Sequence, residues 1–163
     1  MGRLWFGPDG KFGFWESNIW CNECSQRLAD PYSFSHIAHG LIFFALLHSV
    51  AKGLSVQSKY FIALVFEVSW ELLENSPLVI NRYREATIAT GYCGDSIFNS
   101  LSDILMMSLG FYLAWKLPVW CSILLFAVME IGCLFWIHDN LTLNVLMLIH
   151  PIQAIKAWQM PSP

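Results

Sequence analysis

Charge is what this sequence has least of. Only 13% of its 163 residues are Asp, Glu, Lys or Arg, against about 25% in an ordinary soluble domain. Nine Lys and Arg face twelve Asp and Glu, a net charge of -3, and no basic stripe appears, which excludes a nucleic-acid binder. Five cysteines are too few for a disulfide-built mini-protein. Neither an internal repeat nor a low-complexity tract is present, and the first 34 residues lack the charged start and apolar run of a secretory signal. What fills the chain is apolar: 56% hydrophobic residues, 15% aromatic, and a mean hydropathy of +0.49. That excludes disorder and points to a membrane protein.

A helix needs about 20 mainly apolar residues to cross a bilayer. Runs of this kind cover residues 35–51, 60–80, 95–115 and 119–137, and a fifth at 141–158 is interrupted by Pro151. The sequence therefore predicts an all-α, polytopic membrane helix bundle of four to five transmembrane helices. It forms a single membrane domain over 1–163, with an irregular N-terminal interfacial segment at 1–34 and the helix bundle at 35–158. The Trp and Phe residues of 1–34 suit the headgroup level or a protein-packed position. Alternating spans place Lys52, Lys59, Lys116 and Lys156 on one side and Arg27, Arg82 and Arg84 on the other. Four against three predicts a cytoplasmic C-terminus and an N-terminus outside. Trp115, Trp120 and Trp158 then fall at the cytoplasmic interface, and Trp136 at the opposite one.

Alternation also gathers the polar residues. His36 and His39 begin the first span, Glu71, Glu74 and Asn75 end the second, and Asp95, Asn99 and Asp103 open the third. Asp139, Asn140 and Asn144 lie at the turn into the fifth, at the same end. Helical spacing puts His36 with His39, Glu67 with Glu71 and Glu74, and Asp95 with Asn99 and Asp103 on single faces. Ionisable groups at membrane depth cost at least ~2.5–3.5 kcal/mol each and normally face one another inside the bundle. Glu130 either joins the set or pairs with His150.

Two readings of this cluster stand side by side. In one, His36, His39, Glu71, Glu74 and Asp103 are catalytic, with His36, His39 and Glu71 holding a divalent metal such as zinc that activates water. Arg82, Arg84, Asp95, Asn99, Asn140 and Asn144 then bind the substrate, the guanidinium forks matching an anionic head group. In the other, the same residues form a hydrogen-bonded network that fixes helix packing, with Arg82 or Arg84 paired to Glu85, Glu74 or Asp95. Cys21 and Cys24 make one CxxC, a poor zinc signal without a second pair; in an oxidising compartment a local disulfide or a pairing with Cys93 is expected. Cys121 and Cys133 read as buried thiols. Met106 and Met107 read as packing residues, and Ser108 and Gly110 as a place of close helix approach.

The strings DPYSFSHIAHGLIFF, WELLENSPLVINRYREATIATGYCGDSIFNSLSDILMMSLGF and DNLTLNVLMLIHPIQAIKAWQ resemble a family of small proteobacterial inner-membrane proteins of unknown function. The resemblance covers about residues 15–159. It implies a multi-pass protein of the bacterial inner membrane and leaves the activity open. Relatives carry a further hydrophobic N-terminal segment, a His at the place of Arg27 and an Arg at that of His138. More distantly, Asp30 with His36 or His39, Glu71 and Glu74, Arg82, and Asp95, Asn99 and Gly110 are similar in order to the motifs of VanZ-like membrane proteins. That likeness implies a cell-envelope lipid or lipid-linked ligand, by analogy alone. The partners it implies are membrane lipid and a lipid-like small molecule. An intramembrane metal-assisted hydrolase or transferase and a non-catalytic subunit or carrier are the two functions in view.

Overall fold

The structure, a computed structural model, describes residues 2–21 and 23–160. Among the described residues it holds seven helices: α1 Ser33–Val50, α2 Val56–Glu74, α3 Pro77–Ala86, α4 Ile97–Lys116, α5 Val119–Ile137, α6 Leu141–Ile149 and α7 Gln153–Gln159. No named strand occurs among the described residues; one isolated bridge joins Trp15 to Ala29. Several starts are written locally. Ser55, Ser76, Ser96 and Asn140 each cap a helix by accepting from the backbone N–H three residues on. Leu117 and Pro118 separate α4 from α5.

Three helices, α1, α4 and α5, are long and apolar enough to cross a membrane, rather than the four to five expected. The predicted second span runs through Pro77. The chain instead ends α2 at Glu74, and Ser76 with Pro77 at the first turn starts α3. α2 is as long as a span but carries Lys59, Glu67, Glu71 and Glu74. The predicted fifth span divides at Pro151 into α6 and α7, of nine and seven residues. Nine residues rise about 14 Å, roughly half of a hydrocarbon core of about 30 Å.

The division carries the C-terminal helix back to the polar end. Gln159 donates to the His138 carbonyl at 2.9 Å and to Asp139 at 3.0 Å, and Lys156 donates to the Glu85 carbonyl at 2.7 Å. Trp158 lies against His138, with ring centroids 5.2 Å apart. Lys156 and Trp158 therefore do not lie with Lys52 and Lys116. Three basic residues (Lys52, Lys59, Lys116) now face four (Arg27, Arg82, Arg84, Lys156), and the count no longer carries the N-terminus outside.

The bundle is organised on the α1–α4 contact. A Cβ on Gly40 would run into the Met107 carbonyl and the Phe111 amide, and one on Gly110 into the Ile37 carbonyl. Backbone meets backbone there, as small residues permit between membrane helices. Ala63 of α2 packs beside the same contact with Met107 and Phe111, and the Tyr60 and Ser108 hydroxyls bond at 2.9 Å. Met107 is fully buried.

The N-terminal segment is pinned to protein. Ile97 and Ser96 donate their amides to the Leu4 and Ser25 carbonyls, and Asn99 donates its side-chain amide to the Arg27 carbonyl. Phe6 stacks on Phe98, and Trp15 on Trp136.

Candidate functional site

The first two turns of α1, the last three of α2 and the first two of α4 come together beneath the N-terminal segment. Glu67 is completely buried between the histidines. Its Oε1 lies 2.6 Å from His36 Nδ1, and His39 Nδ1 lies 3.3 and 3.1 Å from its two oxygens. A carboxylate only accepts, so both imidazoles donate from Nδ1, and in a neutral ring so held Nε2 is the nitrogen left to act as a ligand. His36 Nε2 is 3.8 Å from Asp103, which accepts from the Ser33 hydroxyl at 3.3 Å. Glu71 stands 3.6 Å from His36 Nδ1.

His36, His39, Glu74, Asp95, Asn99, Asp103 and Asn144 line one cavity of about 380 Å³. Phe43, Phe66 and Trp70 form an apolar flank, and Trp20, Tyr83 and Tyr92 add aromatic surface. Among the described residues, no Lys or Arg lines it.

Outside the spans, carboxyls at the rim are held by specific donors. Asp30 accepts from the Ser25 and Tyr32 amides at 2.9 and 2.7 Å, and burial nevertheless raises its carboxyl above the usual range. Asp95 accepts from Tyr92 at 2.9 Å and Asn75 at 2.7 Å, and burial pushes it upward too. Asp139 takes Asn140, Tyr32, Gln159 and Asn144 as donors, and burial lifts it to about 6.

Residues 1–161 match the family described as "Protein of unknown function (DUF2585)". The chain belongs to that family. Similar proteins are named UPF0314: one from Rhizobium meliloti (strain 1021) is 45% identical over 98% of this chain and 81% of its own length. One from Sphingopyxis alaskensis is 46% identical over 98% and 85%, and one from Paracoccus denitrificans 45% over 96% and 83%. No solved structure matches.

Within this DUF2585 chain, two sets of residues offer ligand atoms all within 4.8 Å of one another: His36, His39 and Glu67, and His36, Glu71 and Glu74. The expected trio of His36, His39 and Glu71 is thus divided between the two sets. Glu67 lies one turn deeper than the glutamates chosen from sequence, and its spacing with Glu71 and Glu74 was the available signal.

The arginines depart most from expectation. Arg82 donates to the Leu148 carbonyl at 2.8 Å and to that of Ile149, tying α3 to the end of α6. Arg84 donates to the Tyr92 carbonyl at 2.5 Å. Both satisfy backbone oxygens near helix or loop ends, and neither lines the cavity. Asn140 also has a structural duty, capping α6 and donating to the Glu130 carbonyl at 3.2 Å. Glu130 neither joins the cluster nor pairs with His150; it accepts from the Leu141 and Thr142 amides at 3.0 and 3.1 Å. Arg3, passed over in the sequence, donates to the Cys93 and Asn75 carbonyls beside Asp95.

All five cysteines are free thiols, Cys21, Cys24 and Cys93 lie on the cavity wall, and no disulfide joins them. Burial drives the Cys24 thiol far above its usual range, which keeps it protonated and unreactive. Cys133 is buried as expected, but Cys121 is half-exposed.

Proposed function

We propose that this protein is an intramembrane, metal-assisted hydrolase or transferase of the bacterial inner membrane, acting on an amphipathic envelope lipid or lipid-linked substrate with an anionic head. The observation that carries this reading is the pair of imidazoles whose Nδ1 atoms both turn to one buried carboxylate, Glu67. That arrangement fixes the tautomer and presents two Nε2 lone pairs to a cavity, as in carboxylate–histidine–metal sites. A bound divalent ion such as zinc would supply Lewis acidity and an acidified water.

The chain's own residues divide the remaining work. Asp103, 3.8 Å from His36 Nε2, is placed either to complete the ligand set or to take a proton from water and return it to a leaving oxygen. Phe43, Phe66 and Trp70 offer an apolar flank to an acyl or isoprenoid chain. Asn99 and Asn144 provide neutral polar contacts to a head group. Because Arg82 and Arg84 are occupied elsewhere, an anionic head would be received by the metal. In this reading α2 crosses the membrane as well, its carboxylates inward and Phe61, Val65, Val68 and Leu72 toward lipid. The VanZ-like order of motifs supports an envelope substrate by analogy.

Elemental analysis of purified protein tests the reading. Zinc or another transition metal bound to the wild-type chain and lost in H36A and H39A is the expected result. A metal-free wild-type chain that takes up none on titration overturns it.

A second reading, a non-catalytic subunit or lipid carrier, is favoured by α5. Val119, Trp120, Ile123, Leu124, Val128, Ile131 and Phe135 are all exposed along it. That face suits lipid or a partner helix equally well.

A further inference from the structure

We infer that Glu71 and Glu74 form a second cation position beside the histidine pair, one that takes an oxygen-preferring divalent ion of the Mg²⁺ or Mn²⁺ class. The inference rests on the reading of the cavity as a metal site, and it concerns a different set of ligands.

Besides Asp139, whose donors are named above, six carboxylates crowd this end of the bundle, and five have a visible reason to be there or an opening to the cavity. Asp30 is held by two backbone amides, Asp95 by Tyr92 and Asn75, Asp103 by Ser33 and Glu67 by two imidazoles. Glu74 lies on the cavity wall. Glu71 is the exception. Its side chain is 5% exposed and neither of its oxygens makes a regular hydrogen bond, with the Ser100 hydroxyl nearby as a weak donor. A buried carboxylate left unpaired is among the costlier groups a fold can carry.

The neighbourhood supplies no protein cation to relieve it. Arg3 is committed to the Cys93 and Asn75 carbonyls, and His36, 3.6 Å away, turns its Nδ1 proton to Glu67. Glu71, Glu74 and His36 nevertheless converge, with ligand atoms within 4.8 Å. One turn of helix separates the two glutamates, so both present oxygens to the same point. With His36 engaged through Nδ1, the ligands left are carboxylate oxygens. Oxygen-only sets favour Mg²⁺, Mn²⁺ or Ca²⁺, and Mg²⁺ in particular binds through one or two carboxylates and keeps several waters.

Such an ion also resolves a contradiction in the cavity. Its wall carries Asp30, Glu74, Asp95 and Asp103 and no Lys or Arg, which would repel a phosphate-bearing amphiphile. A hydrated divalent ion on Glu71 and Glu74 reverses the local field and offers exchangeable waters to phosphate oxygens.

The test is a stoichiometry. The full chain, stripped with chelator in detergent, is titrated with Zn²⁺ followed by elemental analysis and with Mn²⁺ followed by electron paramagnetic resonance. Two equivalents are expected in the wild type: one of Zn²⁺, lost in H39A and kept in E71Q, and one of Mn²⁺, lost in E71Q and E74Q and kept in H39A. A wild-type chain holding Zn²⁺ but no Mn²⁺ overturns the second position and leaves the first, whatever the variants do. Mn²⁺ binding unchanged in E71Q and E74Q overturns it as well. Uptake of neither ion removes both readings together.

Discussion

Glu67 is the side chain on which the histidine pair turns, because it alone fixes which ring nitrogen each imidazole presents. Glutamine at this position loses the negative charge and replaces one acceptor oxygen with an NH2 donor that faces the imidazole N–H groups, so it supports the pair less well than a carboxylate does. E67Q is therefore expected to lower transition-metal affinity about 10–100-fold, the range for loss of a ligand's supporting carboxylate. Thermal unfolding in detergent, run alongside, should show the fold retained. A second test at this scale concerns Asp139. Burial holds its carboxyl near 6, above the 3.8 of a free Asp, so the folded state binds its proton more tightly than the unfolded chain. The stability this group contributes is complete below about pH 4 and is lost as pH climbs toward 6. Melting temperature measured from pH 4 to 7 should fall across that interval, and D139N should flatten the slope. Much of the cluster was legible from spacing, since helix periodicity places His36, Glu71, Asp103 and Asn99 on facing stripes. The duties of Arg82 and Arg84 were not. A guanidinium that satisfies the carbonyls ending α6 looks, in sequence, like one waiting for a phosphate.

At the scale of elements, the boundaries carry the information. The span-length helices α1, α4 and α5 begin and end within about two residues of the apolar runs, because Lys116, Pro118 and the 138–140 turn interrupt hydropathy and helix together. The α2–α3 break was hidden inside an apolar run. Ser76 and Pro77, a side-chain cap followed by a first-turn proline, are a local start signal that hydropathy counting passes over. Glu130 shows the converse case, a charge in an apolar helix that serves its neighbour's first turn. E130A should cost about 1–2 kcal/mol by exposing the amides of Leu141 and Thr142, read as a lowered unfolding midpoint in detergent. The α1–α4 contact gives a sharper expectation. G110A adds a methyl where the Ile37 carbonyl already sits, so the helices must part. A loss of about 1–3 kcal/mol is expected, although alanine favours a helix over glycine by about 1 kcal/mol. A variant as stable as the parent would contradict the contact.

For the whole molecule, the sidedness of the chain is the property open to direct measurement. The N-terminal segment, the 87–95 loop and α7 are joined by hydrogen bonds at one end, while the loop at 51–55 lies at the other end of α1. Single cysteines at residues 10, 91 and 157 should react together with an impermeant reagent applied to one face of the membrane. A cysteine at residue 53 should react only from the other face. Labelling of 157 with 53 would restore a crossing fifth helix and overturn the return of α7. Sequence alone could not reveal that return, because it depends on Gln159 reaching Asp139 and on Lys156 reaching α3.

Gly40 follows His39 directly, and Gly110 lies about two turns beyond Asp103 on the facing helix. The helices that carry His36 and Asp103 are thus spaced by two main chains in contact, with no side chain interposed as a shim. Rotamer changes and lipid pressure act on side chains and leave such a gauge block untouched. The spacing of the two helices under the site is set by the thickness of two peptide backbones, and widening it takes bulk at Gly40 or Gly110, neither of which carries a reacting group.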